Sequence, residues 1–135
     1  MRDMSVSLHD PAGVLAARTN NGRGIAGVCW ECRIMPVKVL DANGSGTNSA
    51  VAAGIVWAVD HGARVISMSL GGPGTTQTLT DAIGYATRRG VLLVAAARNN
   101  GSTAPFYPAA YPEVLSSPAR TPRTSSTRGR TMARG

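Results

Sequence analysis

Aromatic side chains are scarce in this 135-residue chain: two Trp, three Tyr and one Phe make up 4% of it. Ala, Val, Ile and Leu must therefore supply the packing, and few rings are present on which bases could stack. Acids are also few, seven against 14 Lys and Arg, and none falls within residues 116–135. That stretch carries Arg120, Arg123, Arg128, Arg130 and Arg134. The remaining nine basic side chains are nearly balanced by the seven acids, so most of the net charge of +7 resides in the tail. A basic tail without interleaved aromatics argues against a nucleic-acid partner. No apolar run reaches the length of a membrane helix, and MRDMSVSLHDPAG lacks the apolar stretch of a signal peptide. If the parent protein is secreted, its targeting segment is not in this chain.

Histidine and cysteine are sparse as well. Two of each, His9, His61, Cys29 and Cys32, cannot complete a zinc site from a single CxxC without a second pair or a nearby His. A redox CxxC would follow a strand and open a helix, and Cys29-Trp30-Glu31-Cys32 does neither. A structural disulfide is the preferred reading, with two inert thiols as the alternative. Gly22-Arg23-Gly24-Ile25-Ala26-Gly27 matches GxGxxG but follows a helix-like stretch and leads into a strand. That is the reverse of the order a dinucleotide site requires, and a tight Gly-rich loop fits better. His61 stands at an expected helix end, where capping is its natural role.

What is present is the pattern of an α/β domain. The chain is 43% apolar and holds 16 glycines. Arg33–Leu40 reads as a buried strand, interrupted by Pro36, and Asp41–Gly46 as a turn. Thr47–His61 reads as a helix, with Val51, Ile55 and Val59 at four-residue spacing and Gly62 beyond its end. Arg64–Leu70 is a second strand, closed by Gly71-Gly72-Pro73-Gly74. Thr78 with Asp81 suggests a helix start, and Leu79, Ala82, Ile83 and Ala86 form the buried stripe of a helix ending at Arg89-Gly90. Val91–Ala97 is a third strand. Apolar strands alternating with amphipathic helices predict a three-layer parallel sheet with flanking helices. Residues 1–11 read as an irregular N-terminal stretch, 12–116 as the folded domain and 117–135 as a disordered Arg-rich tail.

In such sheets ligands sit beyond the carboxyl ends of the strands. The segments there are Asp41–Gly46, Ser69–Gly74 and Arg98–Gly101. Asn99 follows a buried strand, so its amide could donate to a developing oxyanion. On spacing alone a turn role is the preferred reading, because the neighbouring Asn100-Gly101 is a turn signal.

Three stretches carry a resemblance: AGVLAARTNNGRGIAGV (12–28), MPVKVLDANGSGTNSAVAAGIVWAVDHGARVISMSLGGPG (35–74) and GVLLVAAARNNGSTAPFYPAAYPEVLS (90–116). Together they resemble the subtilisin-like serine protease family, close to its thermitase-like and bacillary branches, in that family's order and spacing. The resemblance implies a serine-type endopeptidase domain, secreted in the parent family, acting on polypeptide. It implies that Ser69, Leu70 and Gly71 pair with an extended substrate and that Gly44, Ser45 and Gly46 form the opposing edge. Ala95, Ala96 and Ala97 would wall the specificity pocket, and Asn99 matches the oxyanion-hole asparagine. The Thr19–Ile25 loop resembles a calcium loop, with Asn21 giving a side-chain oxygen and Thr19, Arg23 and Ile25 giving carbonyls.

The departures from the family are specific. Its catalytic His motif, HGTHVAG, aligns with SLHDPAG, so Ser7 stands at the His position and His9 is two residues out of register. The catalytic Asp strand would precede Met1, and the GTSMA nucleophile block would lie beyond Gly135. The terminal GRTMARG only echoes that block. Arg98 replaces the glycine usual before the oxyanion Asn. The expectation is a protease segment that keeps a substrate cleft, lacks a complete Asp/His/Ser triad and is inactive by itself. The alternative is a non-catalytic peptide-binding or structural remnant.

Overall fold

Five parallel strands in the order β2-β1-β3-β4-β5 form the sheet of the computed structural model, which describes residues 4–7, 11–24, 26–97 and 104–117. In chain order the elements are β1 (Met4–Ser7), α1 (Pro11–Ala16), β2 (Arg33–Ile34), α2 (Asn48–Asp60), β3 (Val65–Met68), α3 (Gln77–Arg88), β4 (Leu92–Ala96) and β5 (Val114–Ser117). Helices flank a parallel sheet, the α/β arrangement that strand–helix alternation predicts.

Both long helices begin and end where local chemistry directs. The Thr47 hydroxyl accepts the Ala50 N–H at 3.1 Å, and the Thr76 hydroxyl accepts the Leu79 N–H at 3.3 Å. Each thus satisfies one of the donors left unpaired in a first helical turn. At the far ends, Gly62 (φ 85°) and Gly90 (φ 74°) take the left-handed conformation that stops a helix. His61 caps α2 as anticipated: its backbone N–H donates to the Trp57 carbonyl, and its Nδ1–H donates to the same oxygen at 2.7 Å. Its ring also stacks on the Trp57 indole, centroids 3.9 Å apart.

One face of the sheet carries the core. Ile66, Leu93 and Val114 lie opposite one another across three strands and are buried, as are Met68 and Ala95 in the next row. Against them pack Val51, Ala52, Ile55, Ala58 and Val59 of α2 and Leu79, Ala82, Ile83 and Ala86 of α3. Alternation along a strand sends the intervening residues to the other face, where Leu92 is 49% and Leu115 60% exposed.

The structure departs from expectation at four places. The stretch expected to be irregular supplies β1, which pairs with β2 on one side and β3 on the other. A four-residue strand of mixed polarity has no apolar run to announce it. Of Arg33–Leu40, only Arg33–Ile34 joins the ladder, because Pro36 has no N–H to offer. Met35, Val37 and Val39 still alternate inward onto the core. The α3 cap is Thr76, not Thr78; Asp81 instead accepts from Gln77 Nε2 at 2.8 Å. Finally, Ser117, placed with the tail, closes β5. Its neighbours 118–135 lie outside the described residues.

Candidate functional site

The turn before α2 is built by one carboxylate. Asp41 Oδ1 accepts the N–H groups of Asn43 (2.8 Å) and Ser45 (2.9 Å), while the Asp41 N–H donates to the Ser45 carbonyl at 2.8 Å. Gly44 occupies the left-handed region at φ 75°, which the tight reversal requires. Gly46 then passes so close to Val39 that a β-carbon would lie 2.6 Å from its carbonyl oxygen. The segment is thereby held as a rim at the N-terminus of α2.

Facing it, Ser69-Leu70-Gly71 leaves the carboxyl end of β3. These two segments line a single cleft of about 400 Å³. Leu79, Val51 and Asn48 complete it from the two helices, together with Tyr107 and Pro108 from a distant loop. Asn48 Nδ2 reaches across to the Gly74 carbonyl at 3.4 Å. Among the described residues, Leu70 and Gly71 make no backbone hydrogen bond.

The loop contributing Tyr107 is tied to the Ser69–Gly71 side directly. The Gly72 N–H donates to the Tyr107 carbonyl at 2.9 Å and the Tyr107 N–H to the Gly72 carbonyl at 2.8 Å, an isolated antiparallel bridge. Tyr107, Pro108, Asn48, Val51 and Leu79 escape sequence reasoning as cleft residues. The only signal for any of them is Leu79 and Val51 at the first turns of helices whose N-termini lie near expected ligand segments.

Other anticipated residues fall elsewhere. Ala95 is 1% exposed within the core, and Ala96 and Ala97 run alongside β5, with the Ala97 N–H donating to the Ser117 carbonyl at 3.1 Å. None of the three lines the described cleft. Asn99, Arg98, Ile25 and His9 lie outside the described residues. His61 sits at the end of α2 opposite to Asn48, about 20 Å away at the usual helical rise.

Cys29 and Cys32 form a disulfide with Cα atoms 5.4 Å apart, within the ordinary span. In the GxGxxG stretch, which follows α1, Gly22 and Gly24 lie in the left-handed region. In the same loop Asn21 Oδ1 accepts the Arg23 N–H at 3.0 Å, and the Thr19 hydroxyl donates to the Ala17 carbonyl at 3.3 Å. These oxygens suit a hard cation in kind, but no carboxylate stands among Thr19–Gly24. Among the described residues no three His, Cys, Asp or Glu side chains gather as a metal site, and no helix is long and apolar enough to cross a membrane.

The family model described as the subtilase family matches residues 10–132. Thermitase of Thermoactinomyces vulgaris is 52% identical over 104 residues, covering 77% of this chain and 37% of that protein. The thermophilic serine proteinase of Bacillus sp. (strain AK1) is 51% identical over the same length, covering 77% of this chain and 26% of its own. The crystal structure of fervidolysin from Fervidobacterium pennivorans, a keratinolytic enzyme related to subtilisin, superimposes with a TM-score of 0.70 at 42% identity. The match covers 78% of this chain and 16% of that one. The chain thus spans roughly a quarter to two fifths of the first two relatives. With the family model matched over most of its length and a parallel α/β sheet to go with it, this chain belongs to the subtilase family.

Proposed function

We propose that this chain forms the substrate-binding part of a subtilisin-like serine endopeptidase domain. An extended peptide lies as an added strand between Gly44–Gly46 and Ser69–Gly71, main-chain pairing supplying affinity and side-chain pockets selectivity. The observation that carries this reading is that those two segments, 23 or more positions apart in sequence, line one cleft. Asn99 follows β4 and serves as an oxyanion donor, the role that stabilises charge developing on the scissile carbonyl. Ala95–Ala97 back that region from the sheet. Thr19, Asn21, Arg23 and Ile25 hold calcium weakly as a structural ion. The parent protein acts outside the cell, in keeping with the Cys29–Cys32 disulfide.

Hydrolysis needs a nucleophile and a base within hydrogen-bond reach of each other. His61 is committed to the far end of α2, and Ser7 stands where the family carries its catalytic His. The chain by itself accordingly binds peptide without cleaving it, and a non-catalytic peptide-binding role is the second reading this favours.

One experiment addresses both. The chain is titrated with an unlabelled extended pentapeptide while amide resonances are followed, and a chromogenic peptide is then incubated with it. Shifts concentrated at Gly44–Gly46 and Ser69–Gly71 without turnover are expected. Shifts that avoid both segments would remove the cleft assignment. Turnover blocked by a serine-directed phosphonate would remove the claim of inactivity.

A further inference from the structure

Beyond Gly71 the chain continues as Gly72-Pro73-Gly74, and glycines give a loop conformational freedom that must be removed if its edge is to act as a template. Three ties restrain it: the Gly72–Tyr107 bridge, the Asn48–Gly74 contact and a set of hydroxyls centred on Tyr111. Tyr111 Oη hydrogen-bonds Thr75 Oγ1 and, at 2.9 Å, Thr80 Oγ1. The Thr80 hydroxyl in turn donates to the Thr76 carbonyl at 3.1 Å.

The direction of this chain follows from proton counting. Each hydroxyl has one proton to donate. The Thr80 proton goes to the Thr76 carbonyl, which can only accept. Tyr111 must then donate to Thr80 Oγ1, and Thr75 must donate to Tyr111 Oη. The phenol is the one group that both receives from the loop and gives to the first turn of α3. Its ring meets Tyr107 edge-on, with centroids 5.1 Å apart and planes at 66°, so one aromatic pair serves both the backbone bridge and the hydroxyl chain.

We infer that Tyr111 is a positioning residue for peptide binding: its hydroxyl latches the Thr75 loop to α3 and so holds the Ser69–Gly71 edge in a pairing-competent shape. This rests on the cleft reading above. Thr75 and Thr80 are exposed, and water can replace hydrogen bonds there at little net cost in stability. What the latch supplies is therefore geometry rather than fold stability.

The test compares the chain with Tyr111→Phe, Thr75→Val and Thr75→Ser. Three readouts are taken: amide exchange at Gly72 and Tyr107, pentapeptide affinity and urea unfolding. Tyr111→Phe and Thr75→Val should each speed exchange at Gly72 and weaken the peptide about tenfold, the equivalent of one or two neutral hydrogen bonds. The unfolding midpoint should hardly move, and Thr75→Ser should retain wild-type behaviour. Thr75→Val keeps the aromatic pair and carries the test should Tyr111→Phe fold poorly. Unchanged exchange and affinity in both variants would overturn the inference. So would a loss of affinity that simply follows a fall in global stability. Faster Gly72 exchange in a chain whose wild type binds no peptide would leave the latch standing and remove the cleft reading instead.

Discussion

Gly71 lies against the Phe106 ring so closely that a β-carbon on it would sit 2.5 Å from Phe106 Cε1 and 2.6 Å from the Tyr107 carbonyl oxygen. The second neighbour is backbone engaged in the Gly72 bridge and cannot simply turn aside. Gly71→Ala should therefore cost about 1–3 kcal/mol, the range for overpacking a filled site, and should abolish peptide-induced shifts at Ser69 and Leu70. Gly72→Ala is the control, because a β-carbon there meets nothing within 4 Å. Urea unfolding of both variants checks the contrast, and equal losses would contradict it.

Thr47 is both the N-cap of α2 and the residue that follows the Gly44–Gly46 edge. Thr47→Ala removes the acceptor for the Ala50 N–H and should lower the unfolding free energy by about 1 kcal/mol. The dependence on urea concentration should keep its slope, since the surface exposed on unfolding is unchanged. Thr47→Ser should restore most of the loss by preserving the oxygen.

Leu92 and Leu115 project from neighbouring strands onto the sheet face opposite the core, and both are about half exposed or more. Parallel sheets ordinarily bury both faces, so this apolar surface should bind a hydrophobic dye. The double variant Leu92→Thr, Leu115→Thr should reduce dye fluorescence several-fold while leaving helix content by circular dichroism unchanged. Undiminished fluorescence would place the binding surface elsewhere.

Calcium should bind the Thr19–Ile25 loop only weakly, with a dissociation constant of about 10⁻⁴–10⁻³ M, the range of sites poor in ligand charge. The loop brings Asn21 and backbone carbonyls but no carboxylate among its described residues. Calorimetric titration checks this, and micromolar or tighter binding abolished by Asn21→Ala would show that the loop is far better organised than its donors suggest.

Much of the α/β pattern is local and was legible in the residues. The four-residue spacing of Val51, Ile55 and Val59 and the glycines at 62 and 90 mark α2 and α3 because periodicity and capping act within a few positions. The Cys29–Cys32 bridge spans three positions and is equally local. Local rules also explain the slip from Thr76 to Thr78: both threonines can cap, and only the hydrogen bond to Leu79 selects between them.

The remainder depended on contacts between distant parts of the chain. Met4–Ser7 becomes a strand because β2 and β3 satisfy its backbone from both sides, whatever its own polarity. Likewise Tyr107 and Tyr111 acquire their roles from Gly72, Thr75 and Thr80, more than 30 positions away. The sequence, through its resemblance to the family, pointed to Gly44–Gly46 and Ser69–Gly71 as the opposing edges of a cleft. The tertiary structure shows these two segments lining one cleft, and it alone decided that Ala95 belongs to the core. Side-chain direction along a strand depends on register, and register is settled only when neighbouring strands pair.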